Sequence, residues 1–303
     1  MTLYQEYYNQ ISEIAEQRSR LLPQNESFYF RAFEERRNRV INSLMQPLPS
    51  GDILDVGCGD GERLLKLECT PQVRRFGLDI SSTAIARAKT RAGNSESSNF
   101  TVGDAGSLPF KDNHFHRVLC CYLIEHVPNP ERLIQEVYRV LEPGGRFICF
   151  TPNASRAYNQ PGLNRIFALI FYPISALLAL ITAPFTNRNL SPLKVIRFTA
   201  EAAKKTQRIN QKFGIEEHLH EFNLSELQAS AEKAGLEIKD SGFIGFHGGI
   251  GPIASALLYS NNEFGKAWNG LSVLLELRAP KWLRKMLLVD FYIVGRKARW
   301  ERQ

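Results

Sequence analysis

Between Gly51 and Pro152 the sequence alternates short apolar runs with helix-spaced segments, and the runs close on glycine, acid or proline. Such alternation marks a parallel α/β sheet, because parallel strands need a long crossover to bring the chain back to the same edge. "DILDVG" reads as a strand stopped by glycine, with a helix predicted from about Gly61 to Glu68. "VRRFGLDI" is a second strand, ending in acid. Ser81 or Ser82 can cap the helix "STAIARAKTRAG", which closes on Gly93. "SNFTVGDA" and "HRVLCCYL" supply the third and fourth strands. In "NPERLIQEVYRVLEPGG", Asn129 is a good N-cap, Pro130 suits the first helical position, and Leu133, Val137, Val140 and Leu141 share a face. Pro143-Gly144-Gly145 should end that helix and start the strand "RFICFTP". Near the carboxyl end, Asn223 can cap "NLSELQASAEKAGLEI", with Glu226 as capping-box partner and Gly235 as the stop. "LEIKDSGFIG" and "LLVDFYIVGRK" then read as two closing strands.

The first turn carries the chemistry. "LDVGCGDG" sets Gly57, Gly59 and Gly61 directly after the first strand, where backbone N–H groups without Cβ shielding can approach a ligand. The spacing is G-x-G-x-G. The dinucleotide fingerprint wants its third glycine at position 62, which is Glu62. Asp79 ends the second strand, where a carboxylate can accept from both hydroxyls of a ribose. Asp104 follows the third strand, where a base edge would come.

With these motifs in order, the sequence resembles a known family. "ILDVGCGDG", "LDIS", "GDAGSLPFKDNHFHRVLCCYLIEHV" and "EVYRVLEPGGRFICFTPN" are similar to successive motifs of class I S-adenosylmethionine-dependent methyltransferases of the small-molecule and quinone-methylating type. The resemblance is close from Ile53 to Asn153 and looser from Glu217 to Gly242. It implies a Rossmann-like, doubly wound, seven-stranded α/β sheet with helices on both faces and an inserted, mainly helical cap. It also implies S-adenosyl-L-methionine as cofactor. By resemblance, Gly57, Gly59 and Gly61 line its methionine part, Asp79 holds the ribose and Asp104 the adenine amine. Asp55 and Leu108 shape the pocket, and Ile80, Ala105 and Glu125 complete it. One departure is visible: where the family has Phe-Asp-Val-Val, this chain has Phe115-His116-Arg117-Val118.

An activated sulfonium methyl leaves the protein mainly to align a nucleophile and exclude water. A hydroxyl acceptor also needs a base, and the histidine candidates are His126 in "IEHV" and His218 and His220 in "EEHLHEF". The alternative for each is a hydrogen-bonded structural histidine.

The run from Ile166 to Phe185 has no charge over twenty residues, long enough to span a bilayer as a helix. A single crossing would strand the closing helix and strands on the far side. Pro173 interrupts the run and Pro184 closes it, which suits two short helices dipping into one leaflet. Between Ala154 and Ile215 nine bases face one acid, Glu201, so this window alone exceeds the chain's net charge of +7. Arg165, Arg188, Lys194 and Arg197 could meet anionic headgroups, and "RAPKWLRKMLL" repeats the theme. The alternative is a hydrophobic lid or dimer face.

At 303 residues the expected organisation is a helical lid (1–50), a cofactor-binding core (51–153), an apolar, basic insert (154–221) and the end of the core (222–303), with a second cap segment at about 246–286. Five cysteines without a C-x-x-C pair suggest reduced thiols and specify no metal. Acids early and no apolar h-region at the amino terminus suggest a cytoplasmic location, at the cytoplasmic face of a membrane if the insert meets lipid. Nucleic acid is not the expected substrate, because the fourth strand ends in "CYLIEH" and not in an Asn/Asp-Pro-Pro-aromatic motif. The expected acceptor is a lipophilic or lipid-linked small molecule, methylated at oxygen more readily than at carbon. The competing readings are a soluble metabolite under a simple lid, and a membrane-associated cofactor binder without catalysis. Nothing in the sequence sets an oligomeric state.

Overall fold

The computed structural model describes residues 3–21, 28–48, 50–155, 208, 211–212, 218–245, 269, 273–274, 276–288 and 290–299. Two helices, α1 (Leu3–Leu21) and α2 (Phe28–Met45), precede the sheet. Then follow β1 (Gly51–Val56), α3 (Glu62–Leu65), β2 (Val73–Asp79), α4 (Ser82–Ala92), β3 (Ser98–Val102) and β4 (Phe115–Cys121). A single 3₁₀ turn (Ile124–His126) leads to α5 (Pro130–Val140) and β5 (Leu141–Pro152). The sheet is completed by α6 (Leu224–Lys233), β6 (Leu236–Ile244), α7 (Lys281–Leu287) and β7 (Asp290–Lys297).

The seven strands lie in the order β3-β2-β1-β4-β5-β7-β6. The first five pair in parallel, and β7 is antiparallel to both β5 and β6. Order reverses between β1 and β4, and at such a switch point the crossovers diverge and leave a crevice at the carboxyl ends of the strands. Ile53, Leu54, Val118, Leu119, Phe147, Ile148 and Phe150 are fully buried, as expected of strands covered on both faces.

The caps form as their sequence signals imply. Ser81 Oγ accepts from Ala84 N–H (3.2 Å) and Asn129 Oδ1 from Arg132 N–H (2.9 Å), each worth about 1 kcal/mol. Asn223 and Glu226 close a capping box.

Two expectations shift. The helix predicted to reach Glu68 ends as α3 at Leu65, because Lys66 N–H is shared between the Glu62 and Arg63 carbonyls and Leu67 N–H turns back to Leu64, an i→i+3 bond that tightens the chain. Pro143-Gly144-Gly145 does not begin β5. Leu141 already pairs with Phe115, and the three residues bulge out before Arg146 resumes the register opposite Arg117. Proline cannot donate to the ladder, and Gly144 takes φ +88°, so the bulge falls where pairing is weakest.

The His116-Arg117 departure has its own structural answer. His116 Nδ1 pairs with the Glu142 carboxylate beside the bulge. The buried Arg117 guanidinium donates to the carbonyls of Met45 (3.1 Å), Pro47 (3.2 Å) and His116 (2.8 Å), tying the end of α2 to β4. Burial, then the nearby Arg146, hold its pKa down to about 10.

After β5, Ala154 N–H donates to the Phe222 carbonyl (2.9 Å), so the chain leaves and re-enters the core at one point. The apolar run 166–185 and Arg165, Arg188, Lys194 and Arg197 lie outside the described residues. All five cysteines are free thiols. No helix among the described residues is long and apolar enough to cross a membrane.

Candidate active site

The glycine turn is pinned from below: Gly57 and Cys58 N–H groups both donate to the Leu78 carbonyl (2.7 and 3.0 Å), locking the end of β1 to β2. Gly57, Gly59 and Gly61 all have positive φ (75°, 55° and 74°), a region that costs side-chain-bearing residues about 1–2 kcal/mol each. Their surroundings differ. A Cβ at Gly61 would lie 2.7 Å from the Phe100 ring, whereas one at Gly59 would meet nothing within 4 Å. Gly61 therefore serves packing, and Gly59 leaves its open side to a cavity.

Asp79 braces that turn. Its Oδ2 accepts from Gly59 N–H and its Oδ1 from Ser81 N–H, both at 2.8 Å. Burial raises its pKa, and those two N–H groups oppose the shift. Beneath the turn, Asp55 is completely buried, and neither carboxyl oxygen has a hydrogen-bond partner among the described residues. Burial pushes its pKa up to about 7, partly opposed by the Arg63 guanidinium.

A cavity of about 510 Å³ opens over the turn. It brings together Gly57, Gly59, Asp79, Ile80, Asp104, Ala105 and His126 from the sequence candidates. Helix α1 roofs it with Tyr4, Tyr7, Tyr8 and Ile11, and Tyr122 and Leu123 close the side at the end of β4. Two carboxylates and no lysine or arginine stand among its described lining residues. That charge pattern suits a cationic nucleoside better than a phosphate ester. With the open Gly59 cradle, the residues present fit S-adenosylmethionine.

The roof is held by polar contacts. Asn9 Oδ1 accepts from Ser81 Oγ (2.9 Å), and Arg87 Nη1 donates to Glu16 (2.9 Å). Tyr8 Oη donates to the His126 carbonyl (3.0 Å). Burial, then the neighbouring Tyr7, raise the Tyr8 pKa, so this hydroxyl stays protonated.

The remaining candidates stand back from the cavity. Leu108 is buried in the core, its N–H donating to Glu136 (2.8 Å). Glu125 is buried behind His126 and accepts from Thr151 Oγ1 (3.0 Å). Burial pushes its pKa up to about 7, with its own backbone N–H and Thr151 opposing. Its Oε1 lies 3.9 Å from His126 Nε2. Leu219 and His220 N–H groups donate to the Glu125 carbonyl (2.9 and 3.1 Å). The His218 ring packs 4.9 Å from that of His126, while His220 turns toward Phe222, 6.0 Å away. Of the three histidines, His126 alone lines the cavity.

Tyr122 escaped the sequence reading. It sits at φ +56°, uncommon for a residue with a side chain. Its hydroxyl donates to Asp290 Oδ2 (2.6 Å) on β7, and the Arg37 guanidinium of α2 lies 4.9 Å over its ring. The hydroxyl is thus occupied, and the ring is what Tyr122 offers the cavity. The signal was present only as an aromatic residue at the end of a strand; its partners are far away in the chain.

A seven-stranded sheet of the Rossmann type, with its ligand cavity over a glycine turn at the switch point, defines the class. Residues 54–149 match the methyltransferase domain family. Among curated relatives, 27-O-demethylrifamycin SV methyltransferase of Amycolatopsis mediterranei is 35% identical over 119 residues, 37% of this chain and 44% of the relative. Demethylmenaquinone methyltransferase of Symbiobacterium thermophilum is 35% identical over 117 residues, 37% of this chain and 46% of the relative. The chain thus spans somewhat under half the length of these relatives. The [4+2]-cyclase SpnF shares the fold, with a TM-score of 0.53 and 19% identity over 87% of this chain and 80% of its own. A cyclase on this fold means that architecture alone does not name the reaction.

Proposed function

We propose that the protein transfers a methyl group from S-adenosylmethionine to oxygen on a lipophilic or lipid-linked small molecule, at or near the cytoplasmic face of a membrane. The observation that carries this reading is the cavity itself: two carboxylates, an open glycine cradle, four tyrosines and no described cationic lining. Bound there, the cofactor supplies an activated methyl on sulfur. Asp79 and Asp104 hold the nucleoside, Gly57 and Gly59 admit the methionine part, and the α1 tyrosines exclude water. Tyr122 and His126 face the acceptor, and His126 takes the hydroxyl proton, with His218 and Glu125 setting its ring. The relatives named for demethylrifamycin and demethylmenaquinone support an apolar acceptor class. The segment 165–197, apolar with flanking bases, supports a lipid-facing approach.

The test is transfer of radiolabelled methyl from S-adenosylmethionine into a cell extract, followed by partition between organic and aqueous phases. Protein-dependent label in the organic phase is expected. Label confined to the aqueous phase would reduce the insert to a lid over a soluble metabolite's site. Saturable cofactor binding without transfer would leave a binder without catalysis.

A further inference from the structure

Five large hydrophobic side chains are exposed among the described residues, and three of them fall within nine positions: Leu274 (56%), Leu277 (74%) and Trp282 (63%). Scattered single exposures are ordinary, but a cluster calls for an occupant. Three bases are interleaved with them, Arg278, Lys281 and Lys285, all exposed, and no described acid pairs with any of the three. The one acid of the stretch points the other way. Glu276 accepts from Gly245 N–H (3.0 Å) and from Arg36 Nη2 (3.3 Å), which turns its negative charge into the protein. Arg284 likewise folds back, donating to the Glu276 carbonyl (3.3 Å). The outward face is therefore apolar and wholly cationic.

Its placement is fixed. Asn153, at the end of β5, donates through Nδ2 to the carbonyls of Lys285 (2.7 Å) and Leu288 (3.0 Å), and Leu288 is fully buried. Two residues on, Asp290 receives the Tyr122 hydroxyl. The cluster thus stands at the carboxyl edge of the sheet, where the cavity lies.

We propose that Leu274, Leu277, Arg278, Lys281, Trp282 and Lys285 form a docking face for an anionic lipid bilayer. Tryptophan favours the headgroup level, leucines enter the acyl boundary, and the bases meet lipid phosphate. An acidic protein would satisfy the same charges, and the choice of a bilayer rests on the lipophilic-acceptor reading above. Docking here brings the cavity's edge to the membrane, so a lipophilic acceptor need not cross water to reach it.

The test is co-sedimentation of the full chain with vesicles of phosphatidylcholine and phosphatidylglycerol in equal parts, and with phosphatidylcholine alone. Binding to the anionic vesicles, weakened by salt and at least about tenfold poorer on neutral ones, is expected. Leu277→Ser/Trp282→Ala and Lys281→Glu/Lys285→Glu should each lower binding about tenfold or more, with cofactor affinity in solution unchanged as the control for folding. No binding by the unaltered chain overturns the proposal, as does undiminished binding by both double variants. Organic-phase label from detergent extracts without vesicle binding would leave the acceptor reading standing and remove the docking face. Vesicle binding with only aqueous label would do the reverse.

Discussion

The two halves of the cavity are built by different means. On the side of β1, β2 and β3, the glycine turn itself is made by backbone and by residues close in sequence, and only the α1 roof reaches it from afar, through Asn9 and Glu16. Asp79 reaches Ser81 and Gly59, two and twenty residues away. On the side of β4, β5 and β7, the contacts that place the lining side chains reach across more than a hundred residues. Tyr122 and Asp290 are 168 residues apart, Asn153 and Lys285 132, and Tyr8 and His126 118. The first half is a local motif that any chain with the right turn can carry. The second half exists only once the whole molecule has closed.

That contrast can be broken most severely at the turn. Gly61→Val should drive a Cβ into the Phe100 ring from a left-handed backbone, costing about 4 kcal/mol of stability, read as a lower urea midpoint. Gly59→Val should leave stability within about 1–2 kcal/mol while abolishing cofactor binding. If both lose stability alike, the two glycines are not doing different jobs.

Glu125 tests the other half through pH. Its ordinary pKa of 4.5 rises to about 7 by burial. Folding is therefore favoured below about 4.5 and loses stability as pH rises to about 7, by about 3 kcal/mol once ionised. Glu125→Gln should flatten much of that decline and be the more stable form at pH 8. Asp55, which burial raises from 3.8 to about 7, retains a decline of its own. Denaturant midpoints from pH 4 to 8 check it, and parallel curves would place the charge cost elsewhere.

Asp79→Ala should weaken S-adenosylmethionine binding about 10- to 100-fold by calorimetry, since charged hydrogen bonds are worth about 1.5–3 kcal/mol. Unchanged binding would remove the ribose assignment. Tyr122→Phe keeps the ring and loses the Asp290 bond. Its expected effect is smaller, a rise of about tenfold or less in acceptor KM with cofactor affinity unaltered. A matching loss of cofactor affinity would erase the division between the halves.

The same division explains what the sequence made legible. The strands, the Ser81, Asn129 and Asn223 caps and the glycine turn were readable because each depends on neighbours within a few positions. The Pro143-Gly144-Gly145 bulge was misplaced because a strand start depends on its partner: Phe115 recruits Leu141 before the break in the pattern. Nothing local shows that Tyr8 of α1 seeks the His126 carbonyl. Leu108 follows the motif closely yet faces the core, and Tyr122 carries no local sign of its distant partners. Arg117 had none either: an arginine inside a strand announces a problem, and only the carbonyls at the end of α2 show how it is solved.

The bond between Ala154 and Phe222 has a consequence for how such a chain can be altered. Entry and exit of the long detour are already side by side, so the core does not depend on the detour to bring them together. Loop-closure cost changes by only about 0.6 kcal/mol per doubling of length. A connection between Ser155 and His218 can therefore be exchanged or shortened while the sheet folds as before, provided Leu219 and His220 keep their bonds to the Glu125 carbonyl. That connection then becomes a replaceable cassette, open to grafting without touching the glycine turn.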